Sequence, residues 1–264
     1  MTLPRQARPH ARPMDYGGRL MPTTQTSSPV TFQRGLLVFA VYAVVSAAIQ
    51  LFSGVDYDEI SASVSNILTF VVLSVGAGIV GVLILTARWG ANDAVFRERP
   101  RLDRPAWLWV VPLLFVVVIV GNLAGADWGE WDAAAVLVLL LGCLMIGFGE
   151  EIVFRGYVLV GARSRFSETG AWFASSLLFG LFHGTNILTG QAVGITLRQV
   201  GLAFLLGGAL YFVRRVSGYL VVGMLLHGLW DFSTFIAAGP GDSHVVDDIS
   251  GSAALVSLAL PLLV

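Results

Sequence analysis

From Gln33 onward the chain alternates between long apolar runs and short polar breaks, and nothing else in the sequence constrains the fold as strongly. The runs fall near 35–52, 66–88, 106–124, 133–162, 170–187, 197–213, 219–238 and 252–264. Crossing about 30 Å of hydrocarbon takes roughly 20 helical residues at 1.5 Å each, and most of the runs have that length. The fourth is longer and the last is short. With 56% hydrophobic and only 12% charged residues, the chain has too little polar surface to cover itself in water. The expected fold is all-α: a polytopic transmembrane bundle of about eight helices with the lipid bilayer as its solvent.

The loops test this parse independently. Arg5, Arg8, Arg12, Arg19 and Arg34 precede the first helix, and Asp56, Asp58 and Glu59 fill the first break. The second break carries Arg88, Arg97, Arg99, Arg101 and Arg104; the third carries Asp127, Glu130 and Asp132. Arg163 and Arg165 follow, then Arg214 and Arg215, and the last break holds Asp242, Asp247 and Asp248. Basic and acidic loops alternate with the crossings, as the positive-inside rule requires, and Arg198 is the exception. The pattern predicts a multi-pass protein of the plasma (inner) membrane with both termini cytoplasmic.

Residues 1–32, rich in Pro, Arg, Ser and Thr, read as a disordered cytoplasmic tail, and 33–264 read as one transmembrane domain without internal repeats. All 16 basic residues are arginine, which points to a GC-rich bacterial genome, and the net charge of −1 points to no polyanionic partner, so no nucleic acid is expected. The single cysteine, Cys143, cannot form an intramolecular disulfide and reads as a small buried hydrophobe. Tyr57 and the tryptophans at 89, 107, 109, 128 and 131 lie near span ends and read as interfacial anchors.

Within the apolar runs stand charges that need a reason. Glu150, Glu151 and Arg155 fall inside the fourth, where one ionised side chain costs at least ~2.5 kcal/mol on insertion scales. Glu151 and Arg155 are spaced i and i+4 and can pair on one face, either as a structural ion pair or as part of the chemistry. Glu150, about 100° around the helix, needs another partner. The fifth run offers His183. The seventh offers His227 and Asp231, again i and i+4. Glu150 and His183 each lie about 16–17 residues from the turn near Ser167, which sets them at similar depth on antiparallel neighbours. The aromatics Phe148, Phe154, Phe179, Trp230 and Phe232 read as packing and cavity lining.

A desolvated glutamate beside a histidine suits activation of water, and imidazole can donate to a developing oxyanion. These parts suit amide hydrolysis. The set Glu150, His183, His227 and Asp231 also offers candidate ligands for a divalent metal such as zinc, although no HExxH motif is present.

The residues carry a resemblance. Glu150-Glu151-Ile-Val-Phe-Arg155 resembles the EExxxR motif of the CPBP family, the CAAX proteases and bacteriocin-processing enzymes. Phe179 to His183 resembles its FxxxH motif, and His227 to Asp231 its HxxxN/D motif, in the family's order and in separate hydrophobic runs. The resemblance implies a glutamate-type intramembrane endopeptidase acting on a peptide or membrane-protein substrate. Glu150 would then activate water with help from His183, while His227 and Asp231 bind the oxyanion and Glu151 and Arg155 orient the site. The last motif ends in Asp where the prenyl-protein processing enzymes carry Asn, and an ionised Asp accepts hydrogen bonds but donates none. Such a site would open towards the cytoplasm. The competing readings are a non-catalytic scaffold or immunity protein of the same fold, and a proton-coupled transporter, against which the absence of paired broken helices weighs.

Overall fold

A computed structural model describes residues 30–90, 92–98 and 106–241. Seven long helices account for seven of the eight apolar runs: α1 (Phe32–Phe52), α2 (Val64–Thr86), α3 (Trp107–Gly125), α4 (Ala133–Ala162), α5 (Glu168–Phe182), α6 (Val193–Ser217) and α7 (Leu220–Ala238). The eighth run, 252–264, and residues 1–29 of the tail lie outside the described residues. Six of the seven helices are long and apolar enough to cross a membrane. The remaining one, α5, ends after 15 residues and continues as a tighter 3₁₀ segment, His183–Thr189.

Local chemistry sets the ends. Thr31 accepts a hydrogen bond from Arg34 N at the start of α1, Asp132 accepts from Ala134 N and Ala135 N before α4, and Ser167 accepts from Gly170 N before α5. Gly218, at φ 83, closes α6 in the left-handed conformation that glycine adopts without strain. Much of the outward surface is apolar: Val44, Ile84, Val117 and Leu137 are exposed, as lipid-facing residues are. Of the predicted anchors, Trp107, Trp109 and Trp128 are half exposed at helix ends, but Trp131 is buried and donates through its indole nitrogen to Ile236 O at 3.2 Å. It packs the bundle instead of an interface.

The two sets of loops gather on opposite faces. On the basic face Glu98 ties three loops together, accepting from Arg163 Nη1 (2.9 Å), Arg214 Nε (3.0 Å) and Arg215 Nη1 (2.6 Å). Burial alone would raise the Glu98 carboxyl, but these guanidinium groups outweigh it and hold it down at about 2. On the acidic face Ser61 meets the end of α7, accepting from Gly241 N at 2.9 Å.

The contact that matters most for function is α4 against α7. A Cβ on Gly147 would overlap the backbone of Met224 and Gly228, and one on Gly228 would lie 2.7 Å from Cys143 O. Two glycines thus let the backbones touch, which sets Glu150 and Glu151 beside His227.

Candidate active site

Immediately after Glu151, α4 widens into a π-helical stretch, Ile152–Val158. Such turns are frequent at functional sites. Its carbonyls take donors from neighbouring helices: Ser175 Oγ donates to Phe154 O at 2.8 Å, and Arg214 Nη1 donates to Arg155 O.

Glu151 and Arg155, both fully buried, form the predicted ion pair, with Nη1 donating to Oε1 at 2.8 Å. The same Oε1 faces His227 Nδ1 at 3.1 Å. A carboxylate can only accept, so the Nδ1–H of His227 points at Glu151 and Nε2 points away from it. Around that Nε2 stand Asp231 Oδ2 at 3.6 Å and Glu150 Oε2 at 3.9 Å. Both distances exceed a hydrogen bond and leave the nitrogen accessible. Glu150 Oε2 is buried and has no hydrogen-bond partner.

His183 sits where α5 tightens, and its Nδ1 donates to Phe179 O at 2.9 Å. A neutral ring so held presents a lone pair at Nε2. Phe179 lies between the two imidazoles, edge-on to His183 (5.0 Å between ring centroids) and to His227 (5.6 Å), while the Arg155 guanidinium stacks on its face at 4.1 Å. The aromatic of the FxxxH segment therefore fixes three of the site's side chains.

Glu150, His183, His227 and Asp231 line one cavity; Glu151 and Arg155 stand behind it. Within ion-pair distance of Glu150 is the imidazole of His227, not that of His183, which shares the cavity with no carboxylate in such reach among the described residues. The expected opening towards the basic face is not what the structure has. From Glu150 the cavity runs to Gln50, Tyr57, Asn186 and Gln199, towards the acidic loops. On the basic side Val153, Phe154, Val158 and the Glu151–Arg155 pair are packed solid, which closes that route.

Two sets of lining residues lacked a signal in the sequence. Tyr42 of α1 reads there as one more residue of an apolar run. Asn186, Gln199 and Tyr57 form a hydrogen-bonded chain at the mouth, with Asn186 Nδ2 donating to Gln199 Oε1 and Gln199 Nε2 donating to Tyr57 Oη, both at 2.9 Å. Tyr57 is thus a lining residue rather than an interfacial anchor. Burial, more than the nearby carboxylates, pushes its hydroxyl up to about 12 despite the Gln199 contact, so it stays protonated.

A zinc site needs three or four ligands converging at about 2.0–2.2 Å. Among the described residues no three His, Cys, Asp or Glu side chains form such a group. With Nδ1 of each imidazole donated to Glu151 or to Phe179 O, only the two Nε2 atoms could ligate, and they form no such group with Glu150 and Asp231. As placed, the candidate ligands Glu150, His183, His227 and Asp231 do not fit a metal.

A helical membrane bundle with carboxylates and imidazoles converging on an internal cavity defines the class: a polytopic membrane protein built around a buried polar site. Residues 130–233 match the family described as type II CAAX prenyl endopeptidase Rce1-like. The match takes in α4, α5, α6 and most of α7 with all three motifs, and it is the CAAX protease family that those motifs resemble. No curated protein matches the chain in sequence.

Proposed function

We propose that the protein is an intramembrane endopeptidase that hydrolyses a peptide bond of a membrane-associated protein or peptide. The observation that carries this reading is the buried carboxylate oxygen of Glu150, free of any hydrogen bond, in one cavity with both imidazoles and inside the segment matched by the CAAX endopeptidase family.

Glu150 takes a proton from water as the water oxygen attacks the scissile carbonyl. His183, held by Phe179 O, offers the Nε2 lone pair that orients this water. His227, held through Nδ1 by Glu151, turns Nε2 to the reacting centre, where its protonated form donates to the oxyanion. Asp231 flanks that nitrogen and orients it. Arg155 acts through Glu151 and Phe179 and touches no substrate. The protein works as a multi-pass protein of the plasma membrane.

The test is cleavage of a quenched-fluorescent peptide library, prenylated CAAX peptides included, by purified protein in liposomes. Wild type cleaves at least one member, and Glu150→Gln, still folded, cleaves none. Full activity in Glu150→Gln overturns the assignment.

A further inference from the structure

The amide donors of the cavity, those of Gln50, Asn186 and Gln199, stand towards its mouth, and around Glu150 acceptors predominate. Glu150 and Asp231 are carboxylates, and His183 presents a lone pair. The hydroxyls of Thr185, Ser46 and Thr234 are committed to backbone carbonyls. An oxyanion formed here needs hydrogen-bond donors, and among these groups His227 Nε2 alone can supply one.

Tyr42 meets that need. Its side chain comes from α1, outside the matched segment, and lines the same cavity. It is wholly buried, and its hydroxyl has no hydrogen-bond partner. A buried, unpaired hydroxyl costs roughly 1–3 kcal/mol relative to one that is satisfied, so its retention calls for a reason. The hydroxyl is held against the residue that precedes Glu150: a Cβ on Gly149 would lie 3.0 Å from Tyr42 Oη. The ring is fixed from the other side by Phe182, the neighbour of His183, at 5.7 Å between centroids. Trp230 Nε1 is a second unpartnered donor on the lining, but its ring packs on Phe115 in the apolar cluster of α3 and α6, at 5.2 Å. Tyr57, the other lining phenol, stands at the mouth.

We propose that Tyr42 is a further catalytic residue whose hydroxyl donates to the oxyanion of the tetrahedral intermediate, an assignment that rests on the endopeptidase reading. The water oxygen bonds to the carbonyl carbon and its proton passes to Glu150. The carbonyl electron pair moves onto oxygen, where Tyr42 O–H and His227 Nε2–H hold it. The pair then returns, the C–N bond breaks, and the amine leaves with the proton that Glu150 carried. Tyr42 keeps its own proton throughout.

The experiment compares wild type, Glu150→Gln and Tyr42→Phe in liposomes with the cleavable peptide found in the library. Tyr42→Phe removes one atom that bonds nothing, so its melting temperature matches wild type or exceeds it. Its kcat falls roughly 10²-fold or more, with KM unchanged, the loss that follows removal of one oxyanion donor. Wild-type kcat in Tyr42→Phe, or a change confined to KM, overturns the assignment and leaves the endopeptidase reading standing. Wild-type protein that cleaves nothing sinks both. Replacement of Tyr42 by 2,3,5-trifluorotyrosine keeps the ring while the phenol ionises at lower pH. Activity then fails at lower pH than in wild type, and an unshifted alkaline limb counts against the proposal.

Discussion

Glu151 Oε1 lies 3.1 Å from His227 Nδ1, joining two residues 76 positions apart across the α4–α7 contact. The same oxygen takes Arg155 Nη1 at 2.8 Å, so one atom both neutralises a buried guanidinium and aims a histidine. Glu151→Gln should therefore fail in two ways. Arg155 would be left buried without its counter-charge, at a cost of about 3–5 kcal/mol in stability. The orientation of His227 would be lost, with roughly 10–100-fold less activity, as for other groups that act by holding a histidine. Denaturation of the purified variant alongside kcat/KM checks both, and a variant of wild-type stability would show that Arg155 is satisfied elsewhere.

Glu150→Gln should behave in the opposite sense. Glu150 Oε2 has no hydrogen bond to lose, and the neutral amide is cheaper to bury than a carboxylate. The expected outcome is abolished cleavage with a melting temperature equal to or above wild type. Calorimetry in detergent reads it directly.

Chelation separates the hydrolytic options. As placed, the four candidate ligands share a cavity but form no group that could hold a metal among the described residues, so activity carried by side chains alone survives dialysis against EDTA. A metal bound in stoichiometric amount, whose removal abolishes cleavage and whose return restores it, would require the cluster to rearrange around it.

Glu98 makes the basic face acid-sensitive. A carboxyl held below its ordinary value favours the folded state above that value, and the contribution fades as pH falls through the folded one. With 4.5 as the ordinary value and about 2 when folded, the stabilisation is whole above about pH 5 and gone near pH 2. The gap corresponds to about 3 kcal/mol. Glu98→Gln should lower the melting temperature at neutral pH and converge on wild type near pH 2. Parallel curves across the whole range would refute the anchoring role.

What the sequence made legible follows from the physics of each feature. Membrane spans are written in contiguous hydropathy, so α4 falls at 133–162 in both readings. The pairs Glu151–Arg155 and His227–Asp231 are written in i and i+4 spacing. Glu98 was hidden because its partners Arg163 and Arg214 lie 65 and 116 positions away. Tyr42 was hidden because a phenol in an apolar run gives no periodic signal. Equal chain distances from Ser167 place Glu150 and His183 at similar depth, and they do line one cavity, but chain distance carries no information on which imidazole comes nearest the carboxylate. The direction of the cavity depends on which helix ends pack tightly, a property of all seven helices together.

That direction yields the last prediction. The mouth at Asn186 belongs to the face of the acidic loops, opposite Arg165. The only native cysteine, Cys143, is buried, so the wild-type protein serves as the unlabelled control. In sealed vesicles an impermeant maleimide should label Asn186→Cys and Glu59→Cys from one side and Arg165→Cys from the other. Labelling at Asn186 should also stop cleavage, since the adduct occupies the route to Glu150, whereas labelling at Arg165 should leave it running. Asn186→Cys reacting from the same side as Arg165→Cys would mean that the substrate reaches Glu150 through the packed half of the bundle. The Glu151–Arg155 pair and the buried Phe154 would then have to move aside with every turnover.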